Sequence, residues 1–551
     1  SATSDSATSD SATSDSATSD STTSDSTTSD STTSDSTTSD STTSDSKTTY
    51  TRTSDSKTTY TRTSDSTTSN TNSFSEDSDY TQVTKTERDE KNSDIVQLSN
   101  ARSNDSSNDK SVVKSSSNSD SANANDSPND KSIIRTSNSD KYPVSEGVFS
   151  TNVDIVHGSG ITGEDVKVAV LDIVFDTENP KISDNIVDFK SFRNSFENSM
   201  VLQSIEQGES QSHGTAVAEI ISDVAPNSGL YLYEMNTDVE FGRAIDEAIA
   251  NNVDVIAMAA GWPNLPTDGS SHITKKVEEA INHGISVIVP SGNFAEKHWE
   301  GSFSDSDLNS WHEFAESDEG LSLSVSESQI NNKVPIMIYL NWNDGMGDSS
   351  DFDLVLVDPL GQIVDYSANT QTSDSEKTES VFFMPQMAGL YALGISYVGE
   401  LKSPSDVPKH STMELFSVNN SIEYPVSSGS VVVPADAKGV IVVGAVNSMD
   451  GKLESFSSHG PTNNGKSVPS VVGPNGVTTI AYGGNLFYGT SATTPHVAGI
   501  VALMIDSNSE LSPEQLLNEI EQNARPNSSQ GNNLNEYGYG IVDASFIASQ
   551  N

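Results

Sequence analysis

The sequence predicts an α/β domain with a parallel sheet, interrupted by an inserted all-β domain. Two observations predict this fold class. Apolar runs of strand length alternate with helix-like segments between residues 166 and 293, as in a parallel sheet that helices cover on both faces. From about residue 299 this pattern gives way to short strands broken by Gly, Pro, Asp and Asn, and it returns near residue 431.

The first 142 residues form a separate, repetitive region. Residues 1–45 are four SATSD units followed by five STTSD units, and residues 46–65 are SKTTYTRTSD repeated twice. Ser, Thr and Asn dominate up to about residue 142. Because so few apolar side chains cannot offset the entropy lost on ordering the chain, we expect residues 1–142 to be disordered. The region is either a glycosylated stalk or spacer, or a plain solvated tail.

The first part of the α/β domain is predicted at 143–298. Its buried strands are VKVAVLDIVF (166–175), VDVIAMAAG (253–261) and ISVIVPSGN (285–293). Helix-like segments lie between them, including GRAIDEAIANN (242–252) and ITKKVEEAINHG (273–284). The regular alternation of these elements predicts a parallel arrangement of the strands.

The inserted domain is predicted at 299–428, and its strands read as a sandwich. They are VPIMIYLNWN (334–343), DFDLVLVDPLG (351–361), ESVFFMP (379–385) and LYALGISYVG (390–399). The second part of the α/β domain, 429–551, opens on a strand-rich segment and ends in helices at 491–505 and 511–524. Ser512 and Pro513 are typical of a helix N-terminus.

The chain is strongly acidic and has no cysteine. It carries 79 acidic against 29 basic residues, a formal net charge of -50, so nucleic acid is not expected as a partner. Most of that charge lies in 143–551, as a solvated acidic surface or as an adaptation to salty water. The absence of cysteine excludes disulfides and cysteine-based zinc sites. No apolar run reaches the roughly 18–20 residues that span a bilayer.

Three short segments carry residues suited to nucleophilic catalysis. Asp172 ends a buried strand, His213 opens the apolar helix segment HGTAVAEII, and Ser491 follows Gly-Thr just before TTPHVAGIVALM. A serine hydroxyl is a weak nucleophile and needs a base within hydrogen-bond reach. Histidine is such a base near neutral pH, and a buried carboxylate holds the useful tautomer. A serine near a helix N-terminus also lies where developing negative charge is favoured.

These segments resemble the subtilisin-like serine protease family. GTSATTPHVAG is similar to the family's G-T-S-M-A-x-P-H-V-A-G, HGTAVA is similar to H-G-T-x-V-A, and the order Asp, His, Ser agrees. The resemblance implies a three-layer subtilisin-like fold, a triad of Asp172, His213 and Ser491, and an oxyanion-hole donor at Asn293, which ends VPSGN. It also implies that VIAMAAGWP pairs with the substrate backbone. The expected substrate-binding residues are Ala259, Ala260, Gly261, Ser291 and Gly292.

The chain departs from the family pattern after the catalytic aspartate. The family has Asp, then Ser or Thr, then Gly, whereas Ile173 and Val174 follow Asp172 here, which could alter the turn. Asp176 is a rival for the carboxylate, although Asp172 sits at the strand end. Gly261 is either a packing glycine or part of the substrate-binding strand, and Trp262 either lines a pocket or packs.

Other histidines lack such a context. His496 is expected to pack against the helix that follows Ser491. The remaining candidates are expected to be surface or loop residues: His272, His283, His298, His312, His410 and His459.

An acidic run in the insertion suggests calcium. The candidate ligands are Asp344, Asp348, Asp351 and Asp353, with Asp358 nearby. Closely spaced carboxylate oxygens suit calcium, and SDFDLVLVDPLG resembles a strand pair in β domains appended to many secreted proteases, some of which bind calcium. The alternative is an acidic loop followed by an alternating strand, whose carboxylates need not converge. The catalytic chemistry expected of the serine nucleophile itself needs no metal or organic cofactor.

The sequence therefore predicts a serine endopeptidase that hydrolyses protein or peptide substrates through an acyl-enzyme. The family resemblance also implies an extracellular or cell-surface location, and no signal peptide is visible. Two other classes stay open. One is a catalytically impaired subtilisin fold that acts as a surface-binding module. The other is a structural protein in which the repeats and the β domain carry the function.

Overall fold

A computed structural model describes nine segments of the chain: 47–52, 58–63, 142–193, 212–343, 350–371, 377–408, 411–483, 485–526 and 533–549. Within the repeat region it describes two strands, β1 (Lys47–Arg52) and β2 (Thr58–Thr63), which pair antiparallel. The predicted disorder of 1–142 otherwise falls outside the described residues. No helix among the described residues is both long and apolar enough to cross a membrane.

In the described residues of the first α/β stretch, 142–193 and 212–293, there are five strands and five α-helices. The strands are β3 (Lys167–Asp172), β4 (Ile186–Ser191), β5 (Gly229–Glu234), β6 (Val255–Met258) and β7 (Ser286–Pro290). The helices are α1 (Gly147–Ser150), α2 (Val153–Gly158), α3 (His213–Val224), α4 (Asp238–Ala250) and α5 (His272–Asn282). Strand β6 is buried along its whole length, as expected of a strand covered on both faces.

The insertion forms two four-stranded antiparallel sheets that pack as a sandwich. Its elements are β8 (His298–Ser302), β9 (Leu321–Val325), α6 (Glu327–Asn331), β10 (Ile336–Asn343), β11 (Phe352–Val357), β12 (Ile363–Ser367), β13 (Thr378–Phe383), β14 (Gly389–Tyr397) and β15 (Thr412–Ser417). The strand orders are β13-β10-β15-β8 and β12-β11-β14-β9. Side chains from both sheets share one apolar core, which confirms the predicted all-β insertion.

The second α/β stretch adds two strands to the large sheet, β16 (Ile441–Asn447) and β17 (Val471–Asn475). Two short strands of the same stretch, β18 (Val477–Thr478) and β19 (Leu486–Phe487), pair with each other. Its helices are α7 (Thr490–Ser507), α8 (Pro513–Asn523), α9 (Leu534–Tyr537) and α10 (Ser545–Ser549). As the sequence predicts, Ser512 caps α8 by accepting the Gln515 N–H, and Pro513 begins the helix.

The large sheet has seven parallel strands in the order β17-β16-β7-β6-β3-β5-β4. Alternate residues of β3 enter two cores, with Val168 and Val170 on one face and Ala169 and Leu171 on the other. Helices α3, α7 and α8 pack on the first face, and α4 and α5 pack on the second, so the α/β domain has three layers. The strand order reverses between β3 and β6, which opens a crevice at their carboxyl ends.

The insertion leaves and rejoins the sheet between adjacent strands. Strands β7 and β16 pair directly, with Ile288 opposite Ile441, although the whole insertion lies between them in sequence. The two connections also meet, because the Val426 N–H donates to the His298 carbonyl at 2.7 Å. The ends of the insertion are therefore held together at the sheet.

Excision of 299–428, with a short Gly-Ser linker in its place, should leave a foldable α/β domain. The linker spans a gap that a hydrogen bond already closes, so little strain is introduced. We expect retained far-UV circular dichroism and a single cooperative thermal transition. An insoluble product, or loss of the cooperative transition, would show that the α/β core needs the insertion to fold.

The chain becomes tied to the α/β domain a few residues after position 142. The Ser145 hydroxyl lies 2.7 Å from His496 Nε2, and the Glu146 carboxylate accepts both the N–H and the hydroxyl of Thr478 at 2.7 Å. His496 is fully buried and also bonds the Ala492 carbonyl, which agrees with its predicted packing role. Burial lowers the pKa of His496 to about 4, so it stays neutral at pH 7.

Deletion of residues 1–142 should leave the free energy of unfolding within about 0.5 kcal/mol of that of the full chain, since no contact just described is lost. Deletion of 1–150 is the matched control. It removes the hydroxyl partner of buried His496 and should destabilise the protein by roughly 1–3 kcal/mol or more. Chemical denaturation of the three proteins measures both values. A large loss in the shorter deletion would place a folding unit within the repeats.

Candidate active site

Asp172 and His213 form a hydrogen-bonded pair at the carboxyl edge of the large sheet. Asp172 ends β3 and is 1% exposed, whereas His213 begins α3 and stays partly exposed. His213 Nδ1 lies 2.9 Å from Oδ2 and 3.0 Å from Oδ1 of Asp172. A buried carboxylate at Nδ1 favours the tautomer with the proton on Nδ1, so Nε2 carries the lone pair that a general base needs.

The chain bends at Ile173, directly after Asp172. Asp172 Oδ1 accepts the Ile173 N–H at 2.8 Å, and neither Ile173 nor Val174 has a positive φ. The close approach is supplied by Gly214 instead. A Cβ there would lie 2.6 Å from the Val174 carbonyl oxygen and 2.8 Å from Asp172 Cβ. The rival carboxylate of Asp176 is exposed and accepts the Glu178 N–H rather than contacting His213.

Ser491 lies in the first turn of α7 and is partly exposed. Its hydroxyl donates to the Ala259 carbonyl, 3.1 Å away, and no hydrogen bond joins it to His213 among the residues that the structure describes. The ring of Phe487, just before the serine segment, packs edge-on against the His213 imidazole with centroids 5.2 Å apart. The serine therefore shares the crevice with the histidine, but its hydroxyl is turned towards the end of β6.

Asn293 follows β7 and reaches the start of the serine helix. Its Oδ1 accepts the Thr490 N–H at 2.9 Å and the Thr490 hydroxyl at 3.0 Å. With the oxygen held in this way, the side-chain amide N–H groups are left to donate beside Ser491. This is the arrangement that a donor for a developing oxyanion requires.

The predicted substrate-binding residues fall into two groups. Ala259, Ala260 and Gly261 follow β6, and Gly261 is exposed there, although a Cβ on it would also meet Val432 Cγ2 at 2.4 Å. Its exposure thus supports a place in the substrate-binding strand, and its contact with Val432 supports a packing role. Ser291 and Gly292, by contrast, are buried.

Trp262 packs rather than standing open. Its ring contacts that of Phe241, with centroids 5.1 Å apart, beside the core under α4. Its backbone N–H donates to the Val433 carbonyl. These contacts support the packing alternative for this residue.

The sequence reasoning missed the polar network that fixes the serine segment. The Gly489 N–H donates to Asn475 Oδ1 at 2.7 Å, and Asn475 in turn donates to the Glu454 carboxylate at 3.0 Å. Asn475 is fully buried at the carboxyl end of β17. A polar residue ending the apolar run VVGPN was the available signal, because parallel strands end at the same edge as Asp172.

One histidine differs from expectation. His298, predicted at the surface or in a loop, lies on β8 and is fully buried, whereas His312 lies in a loop as predicted and is 1% exposed. Both belong to the insertion, whose cross-strand packing is not visible in local sequence. His410 lies outside the described residues.

The calcium prediction is only partly covered by the structure. Asp344 and Asp348 lie outside the described residues. Asp351 accepts the Gln371 N–H at 3.2 Å, Asp353 lies on β11, and Asp358 caps a turn by accepting the Leu360 and Gln362 N–H groups. Calcium at the four aspartates stays a prediction.

Comparisons with known proteins agree with this geometry. A sequence profile of the subtilase family matches residues 163–386 and 409–540. Subtilisin of Bacillus pumilus is 32% identical over 165 residues, which cover 27% of this chain and 55% of that protein. The minor extracellular protease Vpr of Bacillus subtilis is 21% identical over 401 residues, covering 65% of this chain and 48% of Vpr.

A solved structure has the same fold. The Clostridium perfringens CspB protease aligns with a TM-score of 0.53 at 17% identity, covering 73% of this chain and 96% of that one. The chain spans about half the length of the curated relatives named above. The profile match covers well over half of the chain and includes the segments of Asp172, His213, Asn293 and Ser491. The chain therefore belongs to the subtilase family.

Proposed function

We propose that the chain is a serine endopeptidase that hydrolyses peptide bonds through an acyl-enzyme, with Asp172, His213 and Ser491 as its triad. The observation that carries the proposal is the hydrogen bond, 2.9 Å long, between the buried Asp172 and the partly exposed His213, in the crevice that also holds Ser491 at a helix N-terminus. A carboxylate, an imidazole and a hydroxyl in that order supply an orienting group, a base and a nucleophile.

In the first half of the reaction, the Ser491 hydroxyl rotates from the Ala259 carbonyl towards His213. His213 Nε2 takes the hydroxyl proton as Oγ attacks the carbonyl carbon of the substrate. The imidazolium that forms is stabilised by the Asp172 carboxylate. It then gives its proton to the amide nitrogen as the C–N bond breaks, which releases the amine and leaves an ester on Ser491.

In the second half, a water molecule takes the place of the amine. His213 removes a proton from the water as its oxygen attacks the ester, and then returns that proton to Ser491 Oγ when the C–O bond breaks. In both halves the Asn293 amide and the Ser491 N–H bind the negatively charged oxygen. The positive end of the α7 dipole favours the same charge.

The substrates that we propose are proteins or peptides in extended form. The segment Ala259–Gly261 continues beyond β6 at the crevice, and the exposed backbone of Gly261 can pair with an added strand. The predicted extracellular or cell-surface location is also a proposal, supported by a relative that is an extracellular protease.

A catalytically impaired binding module stays as the second candidate. One observation favours it: the Ser491 hydroxyl donates to the Ala259 carbonyl rather than to His213. Catalytic hydrogen bonds often tighten only when substrate binds, so this geometry does not decide between the candidates. Labelling by a fluorophosphonate probe separates them, because only an activated Ser491 reacts.

The Ser491→Ala variant should fold like the parent and lose nearly all hydrolysis. In subtilisin the equivalent loss is about a millionfold in kcat. A protein digest followed by mass spectrometry, together with fluorophosphonate labelling, measures the change, and a melting curve checks the fold. Hydrolysis that persists in a contaminant-free Ser491→Ala preparation would remove Ser491 as the nucleophile.

The Asn293→Ala variant should lower kcat by about a hundred- to a thousandfold, the range known for the oxyanion donor of subtilisin, with little change in KM. An amide donor gains most once the oxygen carries full negative charge in the transition state. Steady-state kinetics on a peptide substrate separates kcat from KM.

Asn227→Ala is the matched control for this variant. Asn227 lies just before β5, at the opposite edge of the sheet, where its amide donates to the Thr162 hydroxyl at 2.8 Å. This change should leave both constants unaltered. If Asn293→Ala raised KM with kcat intact, Asn293 would be a ground-state binding residue instead.

A further inference from the structure

Three side chains with metal-ligating atoms meet on one face of the sandwich. His298 and Glu300 lie two residues apart on β8, and Glu414 lies directly opposite Glu300 on β15. The intervening Trp299 and the neighbouring Leu415 belong to the sandwich core, so strand alternation turns the three residues away from it. One ligand atom from each of the three lies within 4.8 Å of the other two.

The two carboxylates are unfavourably placed in the absence of a cation. Like charges directly opposite on paired strands repel, and Glu414 is only 6% exposed. Among the described residues, no lysine or arginine forms an ion pair with either carboxylate.

His298 supplies an independent indication of a ligand. Its Nδ1 lies 2.7 Å from the Val426 carbonyl oxygen, so Nδ1 carries the proton and Nε2 the lone pair. The side chain is fully buried, and Nε2 has no hydrogen-bond partner within the described part of the protein. Histidines that bind metals characteristically donate their other ring N–H to a carbonyl or carboxylate in this way.

The space beside these groups is kept open. A cavity of about 960 Å³ between the sandwich and the α/β domain is lined by both glutamates and by Asp268. Gly429, on the chain returning from the insertion, has a φ of 75°, and a Cβ there would lie 2.4 Å from Glu300 Oε2 and 3.7 Å from His298 Cε1. Any larger residue at 429 would occupy the space next to the ligand atoms.

We propose that His298, Glu300 and Glu414 bind a divalent transition-metal ion, with zinc as the best match, where the sandwich joins the α/β domain. An imidazole nitrogen with two carboxylates suits zinc, whereas calcium takes oxygen ligands. Zinc–ligand distances of about 2.0–2.2 Å require ligand atoms roughly 3–4 Å apart. Rotation of the glutamate side chains supplies that contraction. Water from the cavity completes the coordination.

Such an ion would cross-link two paired strands of the sandwich on the side that faces the α/β domain. It would join β8, where the chain enters the insertion, to β15, where the insertion ends. The ring centroid of Phe416 lies 4.6 Å from that of His298 and 5.5 Å from that of Phe294, the residue after Asn293. The ring of Phe416 thus links the histidine ligand to the segment that contains Asn293.

The test uses the full chain with the Ser491→Ala change, so that self-digestion cannot intervene. The protein is stripped with a chelator and titrated with zinc by calorimetry, and its melting temperature is measured with and without zinc. We expect one tight equivalent and a rise in melting temperature. His298→Gln, Glu300→Gln and Glu414→Gln should each weaken zinc binding by about 100-fold or more, since even residues outside the first coordination sphere are worth about 10–100-fold.

His312→Gln is the matched control. His312 is a buried histidine of the same sandwich and its Nε2 also lacks a described partner, but aromatic rings rather than carboxylates surround it. This variant should bind zinc like the parent. In the metal-free state Glu414→Gln should melt no lower than the parent, because a like-charge repulsion has been removed, so misfolding and lost binding are told apart.

Equal zinc affinity in the parent and in all three ligand variants would overturn the proposal. So would a parent that gains no thermal stability from zinc. Calcium binding that survives the three substitutions, without zinc binding, would place the cation elsewhere, for example at the predicted aspartates. None of these readouts depends on hydrolysis, so the proposal stands or falls separately from the proposed function.

Discussion

Seven parallel strands end at one edge of a single sheet, and the geometry of the candidate site depends on that constraint. Asp172 ends β3, Ala259 follows β6 and Asn293 follows β7, and these three strands are neighbours in the sheet. Residues that are far apart in sequence are therefore brought together without any long loop. The reversal of strand order at β3 and β6 then provides the crevice into which α7 directs Ser491.

Hydrogen bonds to the backbone of the serine segment refine this coarse placement. Asn475 and Asn293 hold successive N–H groups, those of Gly489 and Thr490, at 2.7 and 2.9 Å. One anchor comes from β17 and the other from the loop after β7, so two separate strands determine where α7 begins. Buried polar networks of this kind rigidify a site, because a buried polar group without its hydrogen bond costs folding free energy.

Local sequence carried much of this arrangement. The short segments around Asp172, His213 and Ser491 predict a nucleophile, a base and an orienting carboxylate from their residue types alone. The change in strand pattern predicts the insertion. The environment of His298 could not be predicted, because the pairing of β8 with β15 brings Glu414 opposite Glu300 across more than a hundred intervening residues. The turn of the Ser491 hydroxyl towards Ala259 is also a tertiary property, since it depends on the distance between α7 and β6.

The hydrogen bond between Val426 and His298 has a mechanical consequence. The two chain crossings between the domains adjoin at this bond, five residues after Asn293, and the Asn341 amide adds a further contact by donating to the Pro263 carbonyl. A load on the sandwich therefore reaches the α/β domain close to the segment that contains Asn293.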